Sequence, residues 1–353
     1  MTGSELPQAN VGRRLLLAAA SAIAATAATF SSTDTKAQTP ASPLASWNEG
    51  QTKQAILDFV RATTDPSSRS FVSPEDRIAA FDQDGTIWME HPLYAQAVFA
   101  LYRLHELAPQ HPEWQTLEPF KSALSNNPAA LGKFTERDWF EIVAVTHSGM
   151  STDAFEEIVA RWLVAEKDSR FKRPYTDLVY QPMLEVMQYL RANGFRTYIV
   201  TGGGQAFVRV YAQRVYGVPP EQVVGSLDET QYEIIDGKPV LMRLPKVAFI
   251  DDGVGKVIGI NRFIGKRPFA AFGNSDGDRA MLEWTGAGDG SRLKMLVHHD
   301  DAQREYGYGP AGGLPDTKVG TFSDSLMTDA KANGWPVISM KNDWKRIFAF
   351  EGS

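Results

Sequence analysis

The fold class this sequence predicts is α/β, a doubly wound parallel sheet with a helical insertion, and three observations predict it. Short unbroken apolar runs recur at Ile78-Ala79-Ala80-Phe81, Thr197-Tyr198-Ile199-Val200, Phe269-Ala270-Ala271-Phe272 and 293–297, and each reads as a strand buried on both faces. Segments of helical period separate them: Pro182 opens one with Met183, Val186, Met187 and Leu190 on a single face, and Asn193-Gly194 ends it. Strands alternating with helices indicate a parallel sheet covered on both sides. Finally, the runs end in polar clusters, and in open α/β sheets such strand ends meet at the carboxyl edge, where ligands bind.

The elements follow in order. Residues 1–37 read as an export signal: Arg13-Arg14 precedes an apolar stretch over 15–30, and Thr35-Lys36-Ala37 supplies a small-residue exit. The apolar stretch is shorter than the ~20 residues a spanning helix needs, so no stable membrane insertion is expected after removal. The paired arginines before Leu15-Leu16-Leu17 loosely resemble a twin-arginine signal, which points to the export machinery as a partner and to a periplasmic or secreted destination. Removal leaves the chain one unit more negative than its −6. Residues 38–46, rich in Pro, Ser and Gln, read as a flexible leader. A helix over 47–60 is broken at 63–70, and 38–87 thus holds the leader and the start of the core. Between the first and second strands, residues 88–180 form an insertion with helices expected over 94–107, 116–124, 135–145 and 152–166. This insert carries 14 Trp, Phe and Tyr. They either build its own small core or line a substrate pocket. Residues 181–353 make the rest of the core.

Composition narrows the chemistry. Hydrophobic residues at 43% and charged residues at 22% exclude disorder and coiled coil. Zero cysteines removes thiolate nucleophiles, disulfides and iron–sulfur sites. A net charge of −6 argues against nucleic acid as a partner. What remains is oxygen or imidazole chemistry.

The first strand runs into Asp82-Gln83-Asp84-Gly85-Thr86. Two carboxylates so close at a buried strand end repel unless a cation lies between them, and Gly85 permits the sharp turn. The second strand ends in Thr201-Gly202-Gly203-Gly204, a hydroxyl and bare amides suited to an anion. Lys256 follows in Asp251-Asp252-Gly253-Val254-Gly255-Lys256, which is not a P-loop because its first Gly is missing and Val257 replaces Ser or Thr. Gly273-Asn274-Ser275-Asp276-Gly277-Asp278 is a second oxygen-rich cluster. Singly, each aspartate reads as well as a cap or a turn closer. As an ordered set at strand ends, they read as a site.

In these motifs the chain resembles the haloacid-dehalogenase-like (HAD) hydrolase superfamily, most closely its phosphoserine-phosphatase-type branch. Phe-Asp-Gln-Asp-Gly-Thr is similar to motif I, Ile-Val-Thr-Gly-Gly-Gly to motif II, Lys256 to motif III and Gly-Asn-Ser-Asp-Gly-Asp to motif IV. The similarity spans about 77–300, and the insert stands where the family places its C1-type cap. The resemblance implies an Asp82 nucleophile that becomes an aspartyl-phosphate, and an Asp84 that serves as acid and then base. It implies phosphoryl contacts from Thr201, Gly202 and Gly203, with charge compensation by Lys256. Mg²⁺ is implied on Asp82, Asp84 and the motif IV residues Asn274 and Asp278. The acid at Asp84 argues against dehalogenation.

Two departures stand out. Asn274 occupies a position usually acidic, so either Asn274 with Asp278 or Asp276 would hold the metal. Glu90 lies one residue away from a substrate-binding Glu of phosphoserine phosphatases, which weakens that specificity. Among the histidines, His105-Glu106 fails as a zincin because Pro109 takes the second ligand position. His298-His299 is expected on an exposed strand-end turn, with substrate contact as the alternative, and His91 and His147 are possible contacts from the insert. The expected function is an exported Mg²⁺-dependent hydrolase of a small phosphomonoester. The alternatives are a phosphorylcholine- or phosphoserine-specific phosphatase, a phosphomutase, or a phospholigand-binding protein without turnover.

Overall fold

A computed structural model describes residues 43–125 and 127–352. The export signal and the first residues of the leader lie outside the described residues.

In chain order the larger elements are α1 (Gln51–Thr64), β1 (Ile78–Phe81), α2 (Ala95–Leu107), α3 (Phe120–Leu124), α4 (Pro128–Leu131), α5 (Glu136–His147), α6 (Thr152–Ala165), α7 (Gln181–Ala192), β2 (Arg196–Gly204), α8 (Gln205–Tyr216), β3 (Val223–Ile235), β4 (Lys238–Phe249), α9 (Val254–Gly259), β5 (Ala270–Gly273), α10 (Arg279–Gly286), β6 (Leu293–His298), α11 (Asp324–Ala332), β7 (Val337–Ser339) and α12 (Met340–Asp343). The seven strands form one sheet in the order β4-β3-β2-β1-β5-β6-β7. All pairs are parallel except β3 with β4.

Strand alternation divides the core into two layers. Ala79 and Phe81 face a layer that includes Phe59 of α1, Met183 and Val186 of α7, and Phe207 of α8. Ile78 and Ala80 face the opposite layer, with Met281 and Leu282 of α10 and Leu326 of α11. Helices on both faces of a largely parallel sheet are the doubly wound fold. The register Phe81↔Phe272 and Phe81↔Ile199 sets the ends of β1 and β5 level with each other and beside Ile199 of β2, so Asp82, Thr201 and Asn274 converge just beyond that line. No helix among the described residues is long and apolar enough to cross a membrane.

Three features depart from expectation. Part of the leader is bound into the fold: Leu44 and Ser46 are buried, and the Ser46 backbone N–H and hydroxyl donate to the two oxygens of Glu185. The long hairpin β3–β4 was not foreseen. Its turn is Asp236-Gly237, both at positive φ, and β4 braces the insert through Arg243. The Arg243 Nε donates to the His147 carbonyl at 2.7 Å and the guanidinium lies over Phe155. Lastly, the insert is not packed as a unit. Leu104, Trp114, Phe134 and Ile142 form a separate cluster, whereas Phe155, Val159 and Trp162 of α6 join the main core. Most insert aromatics are therefore spent on packing.

Candidate active site

Strand β1 is wholly buried, and Phe81 stacks on Phe272 of β5 with centroids 4.4 Å apart. The Asp82 N–H donates to the Phe272 carbonyl, which carries the pairing one residue past the strand and fixes where the carboxylate starts. Lys256, from the short helix α9, donates to Asp82 Oδ1 at 2.5 Å and to Asp278 Oδ1 at 2.6 Å. Lysine and both carboxylates are buried. Burial and the neighbouring Asp278 push the Asp82 carboxyl up, against the pull of Lys256. Burial opposes the charge on Lys256, yet Asp278 and Asp82 together hold its ammonium above the ordinary range. The Asp278 Oδ2 accepts from the N–H groups of Asn274 and Ser275, so this side chain ties Lys256 to the motif IV loop.

The loop after Asp82 turns at Gly85, φ +78°, where a Cβ would lie 2.0 Å from Asn274 Nδ2. Only glycine fits there. The Thr86 hydroxyl is 3.2 Å from both Asp82 Oδ2 and Asn274 Oδ1, which places a carboxylate oxygen and an amide oxygen side by side. Asp84 is half-buried, and burial pushes its carboxyl up to about 6, opposed by a Gln83 hydrogen bond and by Lys256. Asp84 Oδ2 comes within 3.8 Å of where a Cβ on Gly203 would stand, so motifs I and II share one site.

The glycine cradle is partly committed. Thr201 is buried, and its Oγ1 accepts from the Gly203 N–H at 3.0 Å. The Gly204 N–H, at the start of α8, donates to Gln96 of α2 at 2.7 Å. Gly202 is exposed. Gln96 was not singled out from the sequence. Its Nε2 lies 3.3 Å from His147 Nε2, and the other ring nitrogen of His147 is bonded to Thr146. Burial and Arg243 lower His147 to about 3, so its neutral ring accepts from the amide. His147 thereby reaches motif II through Gln96.

Asp276 faces away from the site. Its carboxylate accepts from Arg279 and from the N–H and hydroxyl of Ser323. His299 is not on an exposed turn. It is buried, with Nε2 2.7 Å from the Gly85 carbonyl and Nδ1 3.0 Å from Glu305, and so it braces the motif I loop from below. His298 is turned edge-on to Phe322. His91 bonds the Val319 carbonyl and stacks on Tyr308. The C-terminal segment 299–323, which carried no motif, thus closes one side of the site. Glu90, also buried, accepts from Tyr308 and Asn274.

Asp251 is fully buried without a well-formed hydrogen bond, and burial pushes its carboxyl up to about 7. A folded value above the unfolded one means that the native state keeps a proton the unfolded state has lost. Stability therefore falls as pH rises from about 4 to about 7, by at most about 4 kcal/mol. Asp251→Asn is expected to raise the melting temperature at pH 8 and to change it little at pH 4. An equal shift at both pH values contradicts this.

Among the described residues, no group of three or more Asp, Glu, His or Cys is arranged to hold a metal ion. The donor set here is mixed: the Asp82 carboxylate and the Asn274 amide oxygen, beside the motif I backbone. Hard oxygen donors and a surplus of acid over the single Lys256 fit Mg²⁺ rather than a softer ion.

A profile of haloacid dehalogenase-like hydrolases matches residues 79–283. The chain belongs to this family. No curated protein matches the sequence at a significant level. Solved structures similar to the chain include a functionally unknown protein from Anaerococcus prevotii (18% identity, 72% of this chain and 87% of that one, TM-score 0.49). Another is a protein of unknown function from Bordetella pertussis (17%, 74% and 97%, TM-score 0.44). A third is a phosphoserine phosphohydrolase-like protein from Francisella tularensis (14%, 64% and 89%, TM-score 0.36). In this HAD chain, Asp82, Asp84, Thr201, Lys256 and the 274–278 loop all gather at one sheet edge.

Proposed function

We propose that this chain is an exported, Mg²⁺-dependent phosphomonoester hydrolase that works through an aspartyl-phosphate on Asp82. The observation that carries the reading is the buried Asp82–Lys256–Asp278 triad with Asp84 beside it. In the first step, the Asp82 carboxylate forms a bond to phosphorus as the bond to the alcohol oxygen breaks. Asp84, whose carboxyl burial raises to about 6, gives its proton to that oxygen. In the second step Asp84 takes a proton from water, whose oxygen attacks phosphorus, releasing phosphate and free Asp82. Thr201 and the exposed Gly202 backbone would hold the phosphoryl oxygens, and Lys256 would offset their charge. Asp82, the Asp84 carbonyl and Asn274 would hold Mg²⁺, with Asp278 supporting the loop from behind. When bound, Mg²⁺ would neutralise charge on the phosphate.

The purified protein is expected to hydrolyse p-nitrophenyl phosphate with Mg²⁺ and to lose that activity in EDTA. No hydrolysis with Mg²⁺ between acid and neutral pH contradicts the proposal. Phosphate release also separates a hydrolase from a phosphomutase and from a binding protein. A panel of phosphocholine, phosphoserine, glycerol phosphate and nucleotides ranks the substrates, because packed insert aromatics single out none of them. Export rests on the sequence of residues 1–37, and an exported protein whose first residue is Gln38 would support it.

A further inference from the structure

We propose that Glu90 is a positioning residue that fixes Asn274 in the one orientation that turns its amide oxygen toward Asp82. The inference deepens the reading above, since Asn274 is there a metal ligand. Glu90 Oε1 accepts from Asn274 Nδ2 at 2.7 Å and from the Tyr308 hydroxyl at 2.6 Å. With Glu90 Oε1 the acceptor of both bonds, the amide nitrogen faces Glu90 and the amide oxygen faces the other way. On that other side Thr86 bridges Asn274 Oδ1 and Asp82 Oδ2. Position 274 is neutral because its back is already occupied by an acid: an aspartate there would place carboxylate oxygens about 2.7 Å apart.

Glu90 has no room to retreat. A Cβ on Gly85 would come within 2.3 Å of its Oε1, and one on Gly320 within 1.8 Å. Tyr308 is itself held between two rings, stacked on His91 at 3.7 Å and on His299 at 4.4 Å. Three stretches of chain therefore grip one carboxylate: the motif I loop, motif IV and the C-terminal segment. Neither hydrogen bond leaves Glu90 Oε1 directed at a substrate. The glutamate near motif I serves here as a strut for motif IV.

The test compares the full-length wild type with Glu90→Ala, Glu90→Gln, Asn274→Asp and the double variant Glu90→Gln/Asn274→Asp. Melting is measured in EDTA at pH 9, and Mg²⁺ binding by titration calorimetry. Asn274→Asp is expected to melt several degrees lower, and adding Glu90→Gln to recover most of that loss. Glu90→Ala is expected to weaken Mg²⁺ binding by about 10–100-fold, the usual cost of losing a group that orients a ligand. Glu90→Gln, which keeps an acceptor toward Asn274, is expected to stay close to wild type. Additive melting shifts in EDTA, or unchanged Mg²⁺ affinity in Glu90→Ala, overturn the proposal. A wild type that binds no Mg²⁺ overturns the phosphohydrolase reading instead, while the EDTA cycle still decides the Glu90–Asn274 pairing. Should Glu90→Ala fail to fold, that cycle alone is decisive.

Discussion

Asp82→Asn is expected to abolish phosphate-ester turnover, by at least about 10⁴-fold, while leaving a folded protein that melts no lower than wild type in EDTA. The rate loss follows from removing the attacking carboxylate. The intact stability follows from charge: Lys256 stands between two buried aspartates, so the triad carries one negative charge too many. An amide at position 82 removes that excess and leaves Lys256 paired with Asp278. Burial and Asp278 both work against ionised Asp82, which is the energetic mark of a group kept for reaction rather than for stability. Turnover retained within about tenfold of wild type would move the nucleophile elsewhere.

Lys256→Met has the opposite signature, harming both fold and rate. It leaves Asp82 and Asp278 facing one another without a partner, both buried, where an unpaired buried charge costs about 3–5 kcal/mol. For a chain of this size the midpoint in EDTA should fall by about 4–8 °C. Activity should drop by about 10²–10³-fold through loss of charge stabilisation. Adding Asp82→Asn to Lys256→Met should return part of the lost stability, because it removes one of the two repelling charges. Circular dichroism melts of the four proteins check this. A Lys256→Met midpoint equal to wild type would show that the triad holds nothing together.

The legible part of the sequence was what each strand carries past its own end. Ile78 to Phe81 is a continuous apolar run because both faces are covered, so the strand and the acid after it could be read together. The same reasoning reached Thr201, Asn274 and Asp278, whereas Lys256, with no expected strand before it, was read through the family resemblance. The hairpin β3–β4 was legible in principle. Asp236-Gly237, flanked by strand-forming residues, is a type I′ turn signal, and both residues take positive φ. What could not be read was pairing across long separations. Gln96 reaches the Gly204 N–H over 108 residues, and Tyr308 reaches Glu90 over 218. Such contacts depend on where loops land, and no local period records that. His299 shows the consequence: beside a strand end it resembled a surface residue, yet it is buried because segment 299–323 folds over it and Glu305 gives it a partner. The neutral Asn274 looked like a defect in a motif until Glu90, 184 residues away, was found against it.

The covalent step can be observed directly. Wild-type protein turning over a phosphomonoester with Mg²⁺ is quenched in acid, digested and analysed by mass spectrometry. The expected result is a phosphate adduct on the peptide containing Asp82, removed by hydroxylamine and absent from Asp82→Asn. Steady turnover with Asp82 unmodified, or an adduct on another residue, would contradict the assignment of Asp82 as the nucleophile.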